Sequence, residues 1–134
     1  MTWLPGTDDP LELTPAIGTR LRELDDGIWA SLDPGLLELC RARIRRLILF
    51  AESAAPVKHS GGELSTRERS CTDFAELFVI DAHAITDEQC AELNRHLSPP
   101  ELTALTMAIA VFEATARSEM ALGVDREGAV RHAN

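Results

Sequence analysis

Apolar positions recur along this chain every three to four residues, and each such run begins beside a residue suited to capping a helix. Thr14 precedes Pro15, an N-cap followed by a first-position proline, and Ile17, Leu21 and Leu24 carry that helix to a stop at Asp26-Gly27. The same device returns at Asp33-Pro34. From there Leu36, Leu37, Cys40, Ile44, Leu47, Ile48 and Ala51 share one helical face, predicting a second helix from Pro34 to about Ala54. Ala55 to Ser65 contains Pro56 and Gly61-Gly62 in a polar stretch and reads as a loop.

Three further helices follow. Ser65 with Glu68 forms a capping-box pattern ahead of Cys71, Phe74, Ala75, Phe78 and Ala82. Thr86 with Gln89 repeats the pattern, with Ile85 and Cys90 spaced as a hydrophobic staple, and this helix runs to about His96. Ser98-Pro99-Pro100-Glu101 opens the last helix, which continues through Leu102, Leu105, Ile109, Phe112, Ala116 and Met120 to a stop at Gly123. At 1.5 Å per residue it is about 36 Å long, and its apolar residues cover more than one face, as in a helix that is central or at an interface. No alternating β-branched run occurs. The predicted fold is therefore an all-α bundle of about five helices, with short loops favouring antiparallel neighbours. Asp125 to Asn134 lacks apolar periodicity and is expected to be a frayed tail.

Charge and composition narrow the function classes. The 134 residues carry 13 Lys and Arg against 22 Asp and Glu, a net charge of −9, with 45% hydrophobic residues, which predicts one soluble globular domain. That balance repels phosphate backbones and anionic lipid, so neither nucleic acid nor a membrane is expected as a partner. The longest apolar run, Ile44 to Ala55, is interrupted by Arg45, Arg46 and Glu52 and is too short to span a bilayer. Met1 to Asp9 has no basic segment followed by an apolar core, and a cytoplasmic location is expected. Arg41, Arg43, Arg45 and Arg46 lie away from the apolar stripe of the second helix. In so acidic a chain they predict a solvated face or pairing with acidic residues.

Few residues suggest chemistry. Cys40, Cys71 and Cys90 are odd in number and form no CxxC, which argues against a disulfide framework or a zinc knuckle; each is expected to pack as a small apolar residue. Cys71 is the exception to weigh, because the start of its helix and the nearby Arg67 and Arg69 would favour a thiolate. His59, His83, His96 and His132 form no ligand spacing with one another; His83 and His96 suit helix C-termini, and a metal site built on Asp81 and His83 is a minor alternative. No metal or cofactor is expected. Glu113 and Arg117 form an i, i+4 pair on an otherwise apolar helix, which points to an interface or an inner pocket rather than open solvent.

The segments LDPGLLELCRARIRRLI, LSTRERSCTDFAELF and ITDEQCAELNRHLSPPELTALTMAIAVFEATARSEMALGV together resemble the carboxymuconolactone decarboxylase and AhpD-like family over Leu32 to Val124. Residues 1–31 then form an N-terminal segment and 125–134 a tail. The resemblance rests on Glu38 and Arg43, the Ser65-to-Glu68 opening, and Arg117 ahead of Ala121-Leu122-Gly123. It implies an all-helical homo-oligomer with a site near subunit contacts. AhpD-like members use a CxxC, a later His and an upstream Glu; counted from Glu38 by the family spacing, the cysteine positions fall on Phe50 and Ser53 and the His position on Val57. The resemblance thus implies a pseudoenzyme without the redox dithiol, acting as a binding or assembly subunit. It also implies two alternatives. One is a decarboxylase-type enzyme on a small carboxylic acid or lactone, drawing on Glu38, His59, Glu113 and Arg117, with an Arg holding a carboxylate ligand bidentately. The other is a peroxidase with displaced cysteines such as Cys71 and Cys90.

Overall fold

The computed structural model describes residues 14–49 and 62–122. Among these residues there are five α-helices and no strand: α1 Pro15–Ser31, α2 Pro34–Leu49, α3 Thr66–Asp81, α4 Asp87–His96 and α5 Pro99–Leu122, with a 3-10 turn at Ala82–Ala84 between α3 and α4. The all-α expectation holds, and no helix of the described residues is long and apolar enough to cross a membrane.

Capping chemistry sets most of these boundaries. Ser65 accepts from the Glu68 amide while the Glu68 carboxylate accepts from the Ser65 amide, and Thr86 with Gln89 does the same for α4. Ser98 and Glu101 exchange the equivalent bonds at 3.3 and 3.0 Å, so α5 also starts with a closed box. Asp33 accepts from the Gly35 amide at 3.1 Å and opens α2. Each device satisfies amides that the first turn of a helix otherwise leaves without an acceptor.

Two boundaries differ from the sequence reading. Asp26-Gly27 does not end α1, which runs on to Ser31. The extra turn buries Ile28 and half-buries Trp29, whose indole N–H donates to Asp25 at 3.2 Å, while Ser31 donates to the Gly27 carbonyl. Burial of two large apolar side chains, about 1.5–3 kcal/mol for each one fully buried, outweighs the roughly 1 kcal/mol penalty of a helical glycine. At the other end of α1, Thr14 occupies the cap position without a side-chain hydrogen bond, so Pro15 is the effective start signal. The second difference is at Ala82–Ala84, where the predicted third helix tightens into the 3-10 turn; Asp81 caps it by accepting from the His83 amide at 3.1 Å. The expected continuation of α2 to Ala54, the stop at Gly123 and the tail lie outside the described residues.

α5 is the central element. It packs on α2 along most of its length and also touches α1, α3 and α4, while α2 packs on α3. Leu105, Ala108, Ile109, Phe112 and Ala116 of α5 meet Leu36, Leu37, Cys40, Ile44 and Ile48 of α2 in one core, closed by Ile28 and Leu32 at the end of α1, Phe74 and Ala75 of α3, and Leu93 and Leu97 at α4. Trp29 leans on Phe112 with ring centroids 5.9 Å apart. The N-terminal helix therefore packs on its own chain and shares the core of the segment that begins at Leu32.

Candidate functional site

The arginines of α2 are not a free basic patch. Arg41 lies 3.5 Å from Glu38 on its own helix, Arg43 pairs with Glu76 of α3, and Arg45 reaches Glu119 of α5 at 2.7 Å. Arg46 is left on the exposed side. The expectation of a solvated face or pairing with acidic residues is met within a single chain, and the Arg43 and Arg45 pairs brace α2 against α3 and α5. Arg45 and Glu119 are the most enclosed, with 16% and 9% of their side-chain surface exposed. Sequence reasoning passed over this pair, although a signal was there: Glu119 falls seven residues after Phe112 and three after Ala116, on the buried stripe of α5.

A second electrostatic junction joins three helix starts. Arg67, in the first turn of α3, lies 3.6 Å from Asp33 at the start of α2 and 3.6 Å from Glu101 in the first turn of α5. Each carboxylate already serves its own helix, through the Gly35 amide and the Ser98 amide. The Ser98 backbone bond, then the Ser98 hydroxyl, and to a lesser degree Arg67 hold the Glu101 carboxyl below the ordinary glutamate value.

The thiols do not fit a redox site. Cys40 on α2 and Cys71 on α3 are both fully buried in the core. Burial pushes the Cys40 thiol up to about 12, with the neighbouring Cys71 adding to the rise and Arg43 opposing it. Burial likewise lifts Cys71 to about 11, against the pull of Arg67 and with a push from Glu101. Cys71 thus packs in the core as expected, and the acidification that a helix start and arginines would favour is outweighed, because desolvation in an apolar core exceeds the attraction of a cation near the surface. The packing role expected of Cys90 is corrected: its thiol is exposed. α4 turns Leu93 and Leu97 inward, but Cys90, although three residues before Leu93 and so on the same side of the helix, is not part of the core, onto which Ile85 packs without it.

The proposed polar constellation is scattered. Glu113 accepts from the Arg117 Nε at 3.1 Å, but Arg117 is 57% exposed, so the pair sits at the surface of this chain and not in an inner pocket. The two terminal nitrogens of Arg117 have no partner among the described residues. Glu38 is 41% exposed and faces Arg41; no hydrogen bond or ion pair joins it to Glu113 or Arg117. Asp81 and His83 are both exposed, and Asp81 is engaged as the cap of the 3-10 turn. Among the described residues no group of three metal-ligating side chains gathers in one place. His96 closes α4 as expected and meets Glu92 at 3.0 Å. That bond, with help from Arg95, holds Glu92 below the ordinary carboxylate range. Phe50, Ser53, Val57, His59 and His132 lie outside the described residues.

α5 also has a face turned away from the core. Thr103, Met107, Ala110, Ala114, Ser118 and Ala121 follow one another at steps of three or four residues, and all are exposed. The strip covers 19 residues, 18 steps or about 27 Å along the axis, and none of these six side chains carries a charge. Met107 is 45% exposed on it, and α1, packed beside α5, exposes Ile17 and Leu24. Arg117, three residues after Ala114, is the one exposed charge beside this strip, and a nearly uncharged outer face on the central helix of a chain with net charge −9 is the feature of the described residues most suited to contact another surface. Comparison with protein-family models, with characterised proteins and with solved structures finds no match to this chain.

Proposed function

We propose that this chain is a helical subunit of the AhpD-like type that has lost thiol redox chemistry and works by association, as a binding or assembly component of a homo-oligomer. The state of the thiols carries the reading. A dithiol that reduces a peroxide needs one thiolate to attack and a second thiol to resolve the sulfenic acid. Cys40 and Cys71 are fully buried and protonated far above neutral pH, and the sequence places Phe50 and Ser53 where the family's cysteines would stand. The association half draws on the outer face of α5, whose exposed side chains from Thr103 to Ala121 are uncharged apart from Arg117, which is paired with Glu113.

Two measurements on the full chain test the two halves. Native mass spectrometry is expected to give a homo-oligomer. Hydroperoxide consumption with a dithiol reductant is expected to equal that of a variant with all three cysteines changed to serine. A monomer at micromolar concentration overturns association, and thiol-dependent turnover replaces the reading with a displaced-cysteine peroxidase.

One observation favours the decarboxylase-type alternative. Among the described residues Arg117 engages Glu113 through its Nε, which leaves its two terminal nitrogens available to grip a carboxylate. Arg117 follows Ala114 by three residues and borders the outer face of α5, so association through that face would bring it to a subunit contact. Lactone or carboxylic acid turnover that disappears in Arg117→Ala would establish this alternative.

A further inference from the structure

We draw no further inference here: the strongest candidate, the outward face of α5 from Thr103 to Ala121, belongs to the association surface already described, and nothing in the structure shows what else would cover it.

Discussion

Arg45 Nη1 lies 2.7 Å from Glu119 Oε2, tying the C-terminal half of α2 to the last turn of α5 by a charge pair largely withdrawn from solvent. Removing one partner of a fully buried pair costs about 3–5 kcal/mol when the other charge is left uncompensated. Arg45→Met alone is expected to destabilise the fold by less than that range, since the pair retains some exposure and Glu119 has an interaction besides Arg45. Arg45→Met combined with Glu119→Leu is expected to cost less than the two single changes together. A double-mutant cycle from urea unfolding measures the coupling, and additive effects would show that the pair contributes nothing to joining the helices.

The burial of two thiols and the exposure of the third give a chemical signature. In the native protein at pH 7.5, Cys90 is expected to take up a maleimide while Cys40 and Cys71 do not, and all three are expected to react once the chain is unfolded. Intact-mass analysis reads this as one adduct becoming three.

Alkaline stability follows from the same thiols. Burial holds the Cys40 and Cys71 thiols up at about 12 and about 11 in the folded chain, against an ordinary thiol value of 9.0. Above pH 9 the unfolded chain releases protons that the folded chain retains, so unfolding is increasingly favoured as pH rises. The stabilisation is complete below pH 9 and declines from there through about pH 11–12. Urea midpoints are expected to fall between pH 8.5 and 10.5, and to fall less steeply in Cys40→Ala.

The start of α5 links acid sensitivity to a helix cap. Glu101 titrates below its ordinary value of 4.5 because Ser98 binds its carboxylate through the backbone amide, Ser98 also caps through its hydroxyl, and Arg67 stands nearby. A carboxyl with a depressed native value stabilises the fold above its unfolded value and loses that contribution as pH falls through the native one. Ser98→Ala is expected to cost about 1 kcal/mol at neutral pH, the usual worth of an N-cap. It should also raise the Glu101 titration midpoint, which carboxyl-detected NMR measures directly.

If the outer face of α5 is the association surface, a charge at its centre will disrupt the oligomer without unfolding the helix. Ala114→Glu places a carboxylate on an exposed position of that strip and is expected to shift the native mass to monomer while circular dichroism remains unchanged. Arg20→Glu, on the exposed surface of α1, serves as the charge control and is expected to leave the oligomer intact. An oligomer unaffected by Ala114→Glu would place the contact elsewhere.

Much of the helical layout was legible in the sequence because it rests on local chemistry. The boxes at Ser65/Glu68, Thr86/Gln89 and Ser98/Glu101 are each made within four residues, and the apolar stripe of α2 from Leu36 to Ile48 needs only the helical repeat to be recognised. What failed were inferences about surroundings. The stop at Gly27 gave way to the burial of Ile28, and the packing expected of Cys90 gave way to exposure, while Cys71 packs in the core as expected. The candidate residues Glu38, Glu113 and Arg117 could be named from the chain, but their separation into surface pairs could not be read there.

The sequence by itself therefore determined that this protein is a set of capped helices with no CxxC, since caps, periodicity and the absence of a residue type are local properties. The tertiary structure alone decided that Arg43 and Arg45 of α2 are matched by Glu76 and Glu119, that Cys40 and Cys71 share the core while Cys90 does not, and that α5 is central with an outer side whose one exposed charge is Arg117. The physical reason is that charge pairing and desolvation depend on which groups approach through space, and residues 74 positions apart meet only when α2 and α5 pack.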